Sequence, residues 1–182
     1  VSTMDPLTPI VKTSQGWCLF FEGKFRDSLN EFAEWQHQLE HINSPFMIWF
    51  AWSNGLNQDF NEAFRIIDKF VTAYPKHIMS YLGQFIKYSW LKQKHKALSF
   101  VTDDLEKAAW WDDGYSMMMA EGYSVLKEYD KAFRWLNRAI DYGITNIPFL
   151  TEYDHFLDNL KKDKRFSDSL KRAKDILESL SE

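Results

Sequence analysis

Apolar positions along this chain recur at intervals of three and four, which lines one side of an α-helix. Phe166, Leu170, Ala173, Ile176, Leu177 and Leu180 form such a stripe. A longer period overlies the short one. The segments Phe25-Arg-Asp-Ser-Leu-Asn-Glu-Phe32, Phe60-Asn-Glu-Ala-Phe-Arg-Ile-Ile67, Lys94-His-Lys-Ala-Leu-Ser-Phe-Val101 and Tyr129-Asp-Lys-Ala-Phe-Arg-Trp-Leu136 share one pattern. Each places a small residue (Ser28, Ala63, Ala97, Ala132) four positions before an apolar one (Phe32, Ile67, Val101, Leu136). The small residues are spaced by 35, 34 and 35. Twelve positions before three of them lies another small residue: Gly16, Ala51 and Ala120. In the third segment that place holds Phe85, and Gly83 with a longer turn is the alternative.

The pattern predicts helix pairs at 8–22 and 25–41, 45–57 and 60–74, 77–92 and 94–108, and 113–126 and 129–142. Asn43-Ser44-Pro45 and Asp112-Asp113-Gly114 carry short polar side chains suited to capping helix starts. Gly23-Lys24 and Asn57-Gln58-Asp59 read as turns between paired helices. After Gly143, Ile144-Thr-Asn-Ile-Pro148 interrupts the pattern, and two further helices are expected at Phe149–Leu160 and Phe166–Leu180.

A period of 34 to 35 residues, with small residues in both helices of a pair and Pro75 closing the second pair, resembles the tetratricopeptide repeat. Two helices cross closely only where side chains are small, and a bulkier residue one turn on fills the gap against the next repeat. The resemblance implies an all-α, right-handed solenoid. Four repeats would occupy 1–143 (about 8–41, 45–75, 77–109 and 113–143), with capping helices over 144–182. Terminal repeats require such a polar-faced cap.

Two segments narrow the resemblance. Met4-Asp5-Pro6-Leu7-Thr8-Pro9 with Gly16-Trp17 and Phe21-Glu22-Gly23-Lys24-Phe25, and the tail Pro148 to Leu157 through Lys162-Asp-Lys-Arg-Phe166, are similar to the repeat regions of bacterial multidomain regulators. In those proteins the repeats follow a kinase, cyclase or winged-helix domain. The tail there reads "DP-x-hydrophobic-DPLR-x-DPRF"; here the prolines after Asp154 and Asp163 are missing. The resemblance implies a piece of a longer protein and a cytoplasmic location, or a periplasmic one if a membrane helix precedes the repeats.

In this repeat family the first helix of each pair lines a concave face. Carried onto this sequence, Thr13, Trp17 and Phe20 of the first pair, Ile48 and Trp52 of the second, and Met117 and Glu121 of the fourth are the expected partner-binding residues. The third pair contributes Leu82, Ile86 and Ser89 or, in a shifted register, Ser80, Gln84 and Lys87. None of the first- and second-repeat positions is the lysine, arginine or asparagine that clamps acidic chaperone tails. An apolar or amphipathic segment is therefore the expected ligand, with an upstream domain of the same chain or a second copy as alternatives.

Composition limits the remaining classes. Aromatic residues make up 17%, with 8 Trp and 15 Phe, which calls for bulky helix packing or an aromatic surface. The net charge of −4 leaves no basic excess to neutralise phosphates, so nucleic acid is not expected as a partner. Apolar runs such as Phe46–Trp52 are too short to span a bilayer. His37 and His41 share a helix face, but Gln38 stands where a zinc peptidase carries glutamate. No metal site, cofactor or catalytic residue is expected. Cys18, beside Gly16, is expected to be buried and inert. The basic run Lys161-Lys-Asp-Lys-Arg165 reads as a solvated turn. A non-catalytic interaction module follows; the alternative is a small helical enzyme or ligand-binding domain with an unrecognised site.

Overall fold

The computed structural model describes residues 9–41 and 46–179, with side chains described over 14–33 and 46–179. Every regular element among the described residues is helical. Contacts divide the chain into Val1–Ala73 and Tyr74–Glu182.

The first unit holds two helical hairpins: α1 (Pro9–Phe21) with α2 (Phe25–His41), and α3 (Met47–Leu56) with α4 (Phe60–Ala73). The small residues mark the crossings. The Ser28 hydroxyl on α2 donates to the Gly16 carbonyl on α1 at 2.8 Å. A Cβ built on Gly16 would lie 2.3 Å from Cε1 of Phe32, so only glycine lets that ring seat against α1. In the second hairpin Ala51 and Ala63 are both fully buried. Helix α3 is apolar nearly all round (Met-Ile-Trp-Phe-Ala-Trp), which marks a helix enclosed on several sides. By contrast α4 buries only the stripe Ala63, Ile66, Ile67 and Phe70.

The second unit opens with α5 (Ile78–Trp90), capped by His77, whose Nδ1 accepts from the Met79 amide at 3.1 Å. Then come α6 (Lys94–Leu98), α7 (Asp103–Ala109), α8 (Asp113–Val125) and α9 (Tyr129–Asp141). A π-helical turn (Phe149–Tyr153), a 3-10 turn (His155–Leu157) and α10 (Lys164–Ser179) close the chain. Asp112 caps α8 by accepting from the Tyr115 amide at 2.8 Å, as its sequence position predicts. Helix α8 is buried along most of its length, with α9, α5 and the tail packed around it. Full burial of Met117, Met118 and Met119 contributes about 1.5–3 kcal/mol for each side chain.

The turns within the hairpins repeat. Gly23, Gln58, Lys92 and Lys127 all have positive φ (74°, 63°, 56° and 60°). Their spacings are 35, 34 and 35, the same as those of the small residues. In each turn the next residue's amide reaches back five positions at 2.9 Å: Lys24 to Leu19, Asp59 to Asn54, Gln93 to Tyr88 and Glu128 to Tyr123. This closure satisfies carbonyls that a helix end leaves open. The register of the third hairpin follows from it. Lys92 matches Gln58, so Phe85 occupies the place of Ala51, and the longer turn built on Gly83 does not occur. Space for Phe85 comes from α8: a Cβ on Gly122 would lie 2.4 Å from its Cε1.

Two expectations about helices are corrected. The helix expected over 94–108 breaks into α6 and α7. Extended backbone at Thr102 (φ −99°, ψ 160°) starts α7 afresh, and its hydroxyl accepts from the Leu105 amide at 3.2 Å. The helix expected at Phe149–Leu160 is instead the π and 3-10 turns, separated by Asp154 in extended geometry (φ −83°, ψ 98°). The cap expected at Asn43-Ser44-Pro45 lies outside the described residues.

Helix α10 packs on α9. Ser169 Oγ donates to Asn137 Oδ1 at 2.7 Å, Arg165 pairs with Asp130 at 2.7 Å, and Arg172 pairs with Asp141. Phe166 and Ala173 are buried, while the opposite side of α10 is polar.

Candidate functional site

Most residues expected to line a concave surface are interior. Phe20, Ile48, Trp52, Met117 and Glu121 are fully buried. Trp17 is half-buried, edge-on to Phe20 at 5.5 Å and Trp49 at 5.2 Å, and 4.8 Å from Phe32. The Phe20 ring lies 4.7 Å from Trp52. The large rings fill one another's gaps, so positions that would form an open groove with smaller side chains form core here. The side chain of Thr13 lies outside the described ones. In the third hairpin Leu82, Ile86, Ser89 and Ser80 are buried, and Gln84 and Lys87 are half-buried.

The most exposed aromatic side chain described in the second unit, Trp111, lies at the junction of α7 and α8, facing the end of α9. Consecutive tryptophans follow α7, and two adjacent side chains pointing about 100° apart cannot both enter the core. Trp110 turns inward, with its ring 5.7 Å from the buried Trp135. Trp111 turns outward and is 71% exposed, more than any other large apolar side chain described. It meets Tyr142 edge-on at 6.2 Å.

Two arginines one turn apart on α9 frame this pair. Arg138 Nε donates to the Trp110 carbonyl at 2.5 Å, closing the open end of α7. Its guanidinium lies 3.7 Å from the Tyr142 ring, 4.5 Å from Trp110 and 5.2 Å from Trp111. Its Nη2 is buried without a hydrogen-bond partner. Arg134 is exposed and lies over Trp110 at 5.1 Å and Trp135 at 5.4 Å. It makes no hydrogen bond or ion pair among the described residues. Exposed contacts of this kind contribute about 0.5–1 kcal/mol each, enough to hold the planes in place.

Between α7 and α9 lies an open cleft of about 270 Å³, lined by Asp103, Glu106, Lys107, Trp110, Trp111 and Arg134. One wall offers carboxylates, which accept hydrogen bonds. The other offers a guanidinium, which only donates. The floor is indole. Burial raises the Asp112 carboxyl above its ordinary range, against the stabilising hydrogen bond from the Tyr115 amide.

The remaining chemical candidates resolve as follows. Cys18 is exposed, correcting the expectation of a buried thiol. It lies two residues, or about 200°, round α1 from the Gly16 crossing. The side chains of His37 and His41 lie outside the described ones. No three His, Cys, Asp or Glu among the described residues could together hold a metal. In the basic run Lys161 pairs with Asp158 at 2.6 Å, and Arg165 with Asp163 at 2.8 Å. No described helix is long and apolar enough to cross a membrane.

The chain matches no protein-family model, and comparison with curated proteins and with solved structures likewise gives no match.

The Trp111 cluster was not among the residues picked from the sequence. A signal was present: Trp110-Trp111 directly before the Asp112 cap, with Arg134 and Arg138 four apart on the polar side of the matching second helix.

Proposed function

We propose that the chain is a non-catalytic interaction module of the tetratricopeptide type, binding a polypeptide through Trp110, Trp111, Arg134, Arg138 and Tyr142. The observation that carries this is the 71% exposure of Trp111 beside Arg138, with Arg134 over the adjoining Trp110. Tryptophan, tyrosine and arginine dominate binding energy at protein interfaces, and an apolar ring held out in water gains most when a partner covers it. The cleft favours a polypeptide over other ligands. A peptide backbone offers both N–H groups for Asp103 and Glu106 and carbonyls for Arg134, while an apolar side chain of the partner meets the indole.

The recurrence of the left-handed turn at 35, 34 and 35 residues supports the repeat assignment, as do the paired small residues Gly16 with Ser28, Ala51 with Ala63 and Ala120 with Ala132. In the regulators that the sequence resembles, such a module would receive a signal-bearing segment and pass it to a linked domain.

Peptide display against the wild-type chain tests this reading. Selection should enrich segments carrying an aromatic or large aliphatic side chain, and Arg134→Glu should abolish their capture. Selection of nothing, or of peptides indifferent to Arg134→Glu, would remove the basis for the site.

A further inference from the structure

The two walls of the cleft between α7 and α9 carry opposite charges that do not meet. On α7, Asp103 and Glu106 stand one turn apart, and neither carboxylate makes a hydrogen bond or ion pair among the described residues. The third acid of that turn, Asp104, faces Lys107 at 3.9 Å, with both side chains largely exposed. The helix dipole favours acids in a first turn, which accounts for their place on α7. It does not account for the cations opposite.

Those cations lie on α9. Arg134 lines the cleft, and Lys131 is its neighbour one turn earlier on the same helix face. Both side chains are exposed. Aromatic rings hold both: the Arg134 guanidinium lies 5.1 Å from the Trp110 ring, and Lys131 Nζ lies 5.3 Å from the ring of the buried Tyr123. Neither makes an ion pair among the described residues. The carboxylates beside Lys131 on α9 are engaged elsewhere, Glu128 with Lys94 and Asp130 with Arg165. Unpaired acids on one wall, ring-held unpaired cations on the other and the exposed Trp111 beside them suit a ligand that bears both signs of charge.

Resting on the polypeptide reading above, we infer that the partner is an extended segment of alternating charge laid along this cleft. An extended chain turns successive side chains to opposite sides. One side presents Asp or Glu to Lys131 and Arg134, and the other presents Lys or Arg to Asp103 and Glu106. Backbone groups alone satisfy the hydrogen-bonding capacity of the walls but leave their charges uncompensated, and hydrogen bonds between opposite charges are the stronger ones. A uniformly acidic segment is repelled by the α7 carboxylates, and a uniformly basic one by the α9 cations. The cleft therefore selects by rejecting both.

Charge reversal on each wall tests this. A random peptide library displayed against the wild-type chain should yield sequences with an apolar anchor and, at alternate positions beside it, acidic and basic residues. Synthetic copies of these peptides should bind Lys131→Glu and Glu106→Lys at least about tenfold more weakly, since like charges are then brought together. Reversing the matching charge in the peptide should restore binding to each variant. If Glu106→Lys does not fold, Glu106→Gln replaces it: the original peptide should bind it more weakly than wild type, and a peptide neutralised at the matching base should bind both proteins alike. Peptides that need Trp111 yet bind every variant equally would overturn the alternating-charge inference and leave the polypeptide reading standing. Weakened binding that no charge change in the peptide restores would overturn it as well. Enrichment of no peptide at all would overturn both.

Discussion

Phe85 on α5 occupies its position because Gly122 on α8 has no side chain: a Cβ there would lie 2.4 Å from Cε1 of the ring. The two residues exchange size. Phe85 stands where the other hairpins carry glycine or alanine, and the neighbouring hairpin supplies the space. Gly122→Ala should therefore cost about 1–3 kcal/mol by overpacking. Phe85→Leu in the same protein should recover part of that loss, and denaturant unfolding of the double-mutant cycle measures the coupling. Additive effects would mean that the two residues do not share this space.

Gly16 and Phe32 make the same kind of contact within one hairpin, with 2.3 Å between the ring and a Cβ built on the glycine. Ala63 and Ala132 are fully buried at corresponding crossings. A leucine at either alanine should lower stability by about 1–3 kcal/mol. Unchanged melting of both variants would contradict the helix register.

Much of this register is legible in the sequence, because a close helix crossing leaves few residue types to choose from. Ala63, Ala97, Ala132 and Ser28 identify themselves by size and spacing. The break of the third hairpin is not legible. Lys94 through Leu105 keeps a helical spacing of apolar residues, yet α6 ends at Leu98 and Thr102 caps a new helix. The tail turns fail for a similar reason: Asp154 in extended geometry starts the 3-10 turn, as a capping residue does, within a segment of helical composition. The binding surface is the least legible feature. Size and hydrophobicity do not tell a packed ring from an exposed one, and Trp52 is fully buried while Trp111 is 71% exposed.

Three of the four hairpin turns place a side chain where glycine is favoured. Gln58, Lys92 and Lys127 have φ of 63°, 56° and 60°, and the fourth turn has Gly23. Each non-glycine residue carries a steric cost there. Lys92→Gly and Lys127→Gly should each raise stability by about 0.5–1 kcal/mol after the greater flexibility of the unfolded chain is counted. A fall in melting temperature for both would show that their side chains contribute more than the turn geometry.

The tail covers α9. Removing everything after Gly143 would uncover the surface on which Phe166 and Ala173 rest and would break the Arg165–Asp130 and Arg172–Asp141 pairs. The shortened protein should bind a hydrophobic dye and aggregate. A soluble, equally stable product would make the tail an appendage rather than a cap.

The central claim is that Trp111 anchors a polypeptide partner, and calorimetric titration of a display-selected peptide tests it most directly. Trp111→Ala removes an exposed ring, so melting should stay within about 0.5 kcal/mol of wild type. Affinity should fall at least tenfold, since a tryptophan anchor supplies on the order of 2 kcal/mol or more. Equal affinity in the wild-type and Trp111→Ala proteins would contradict the account.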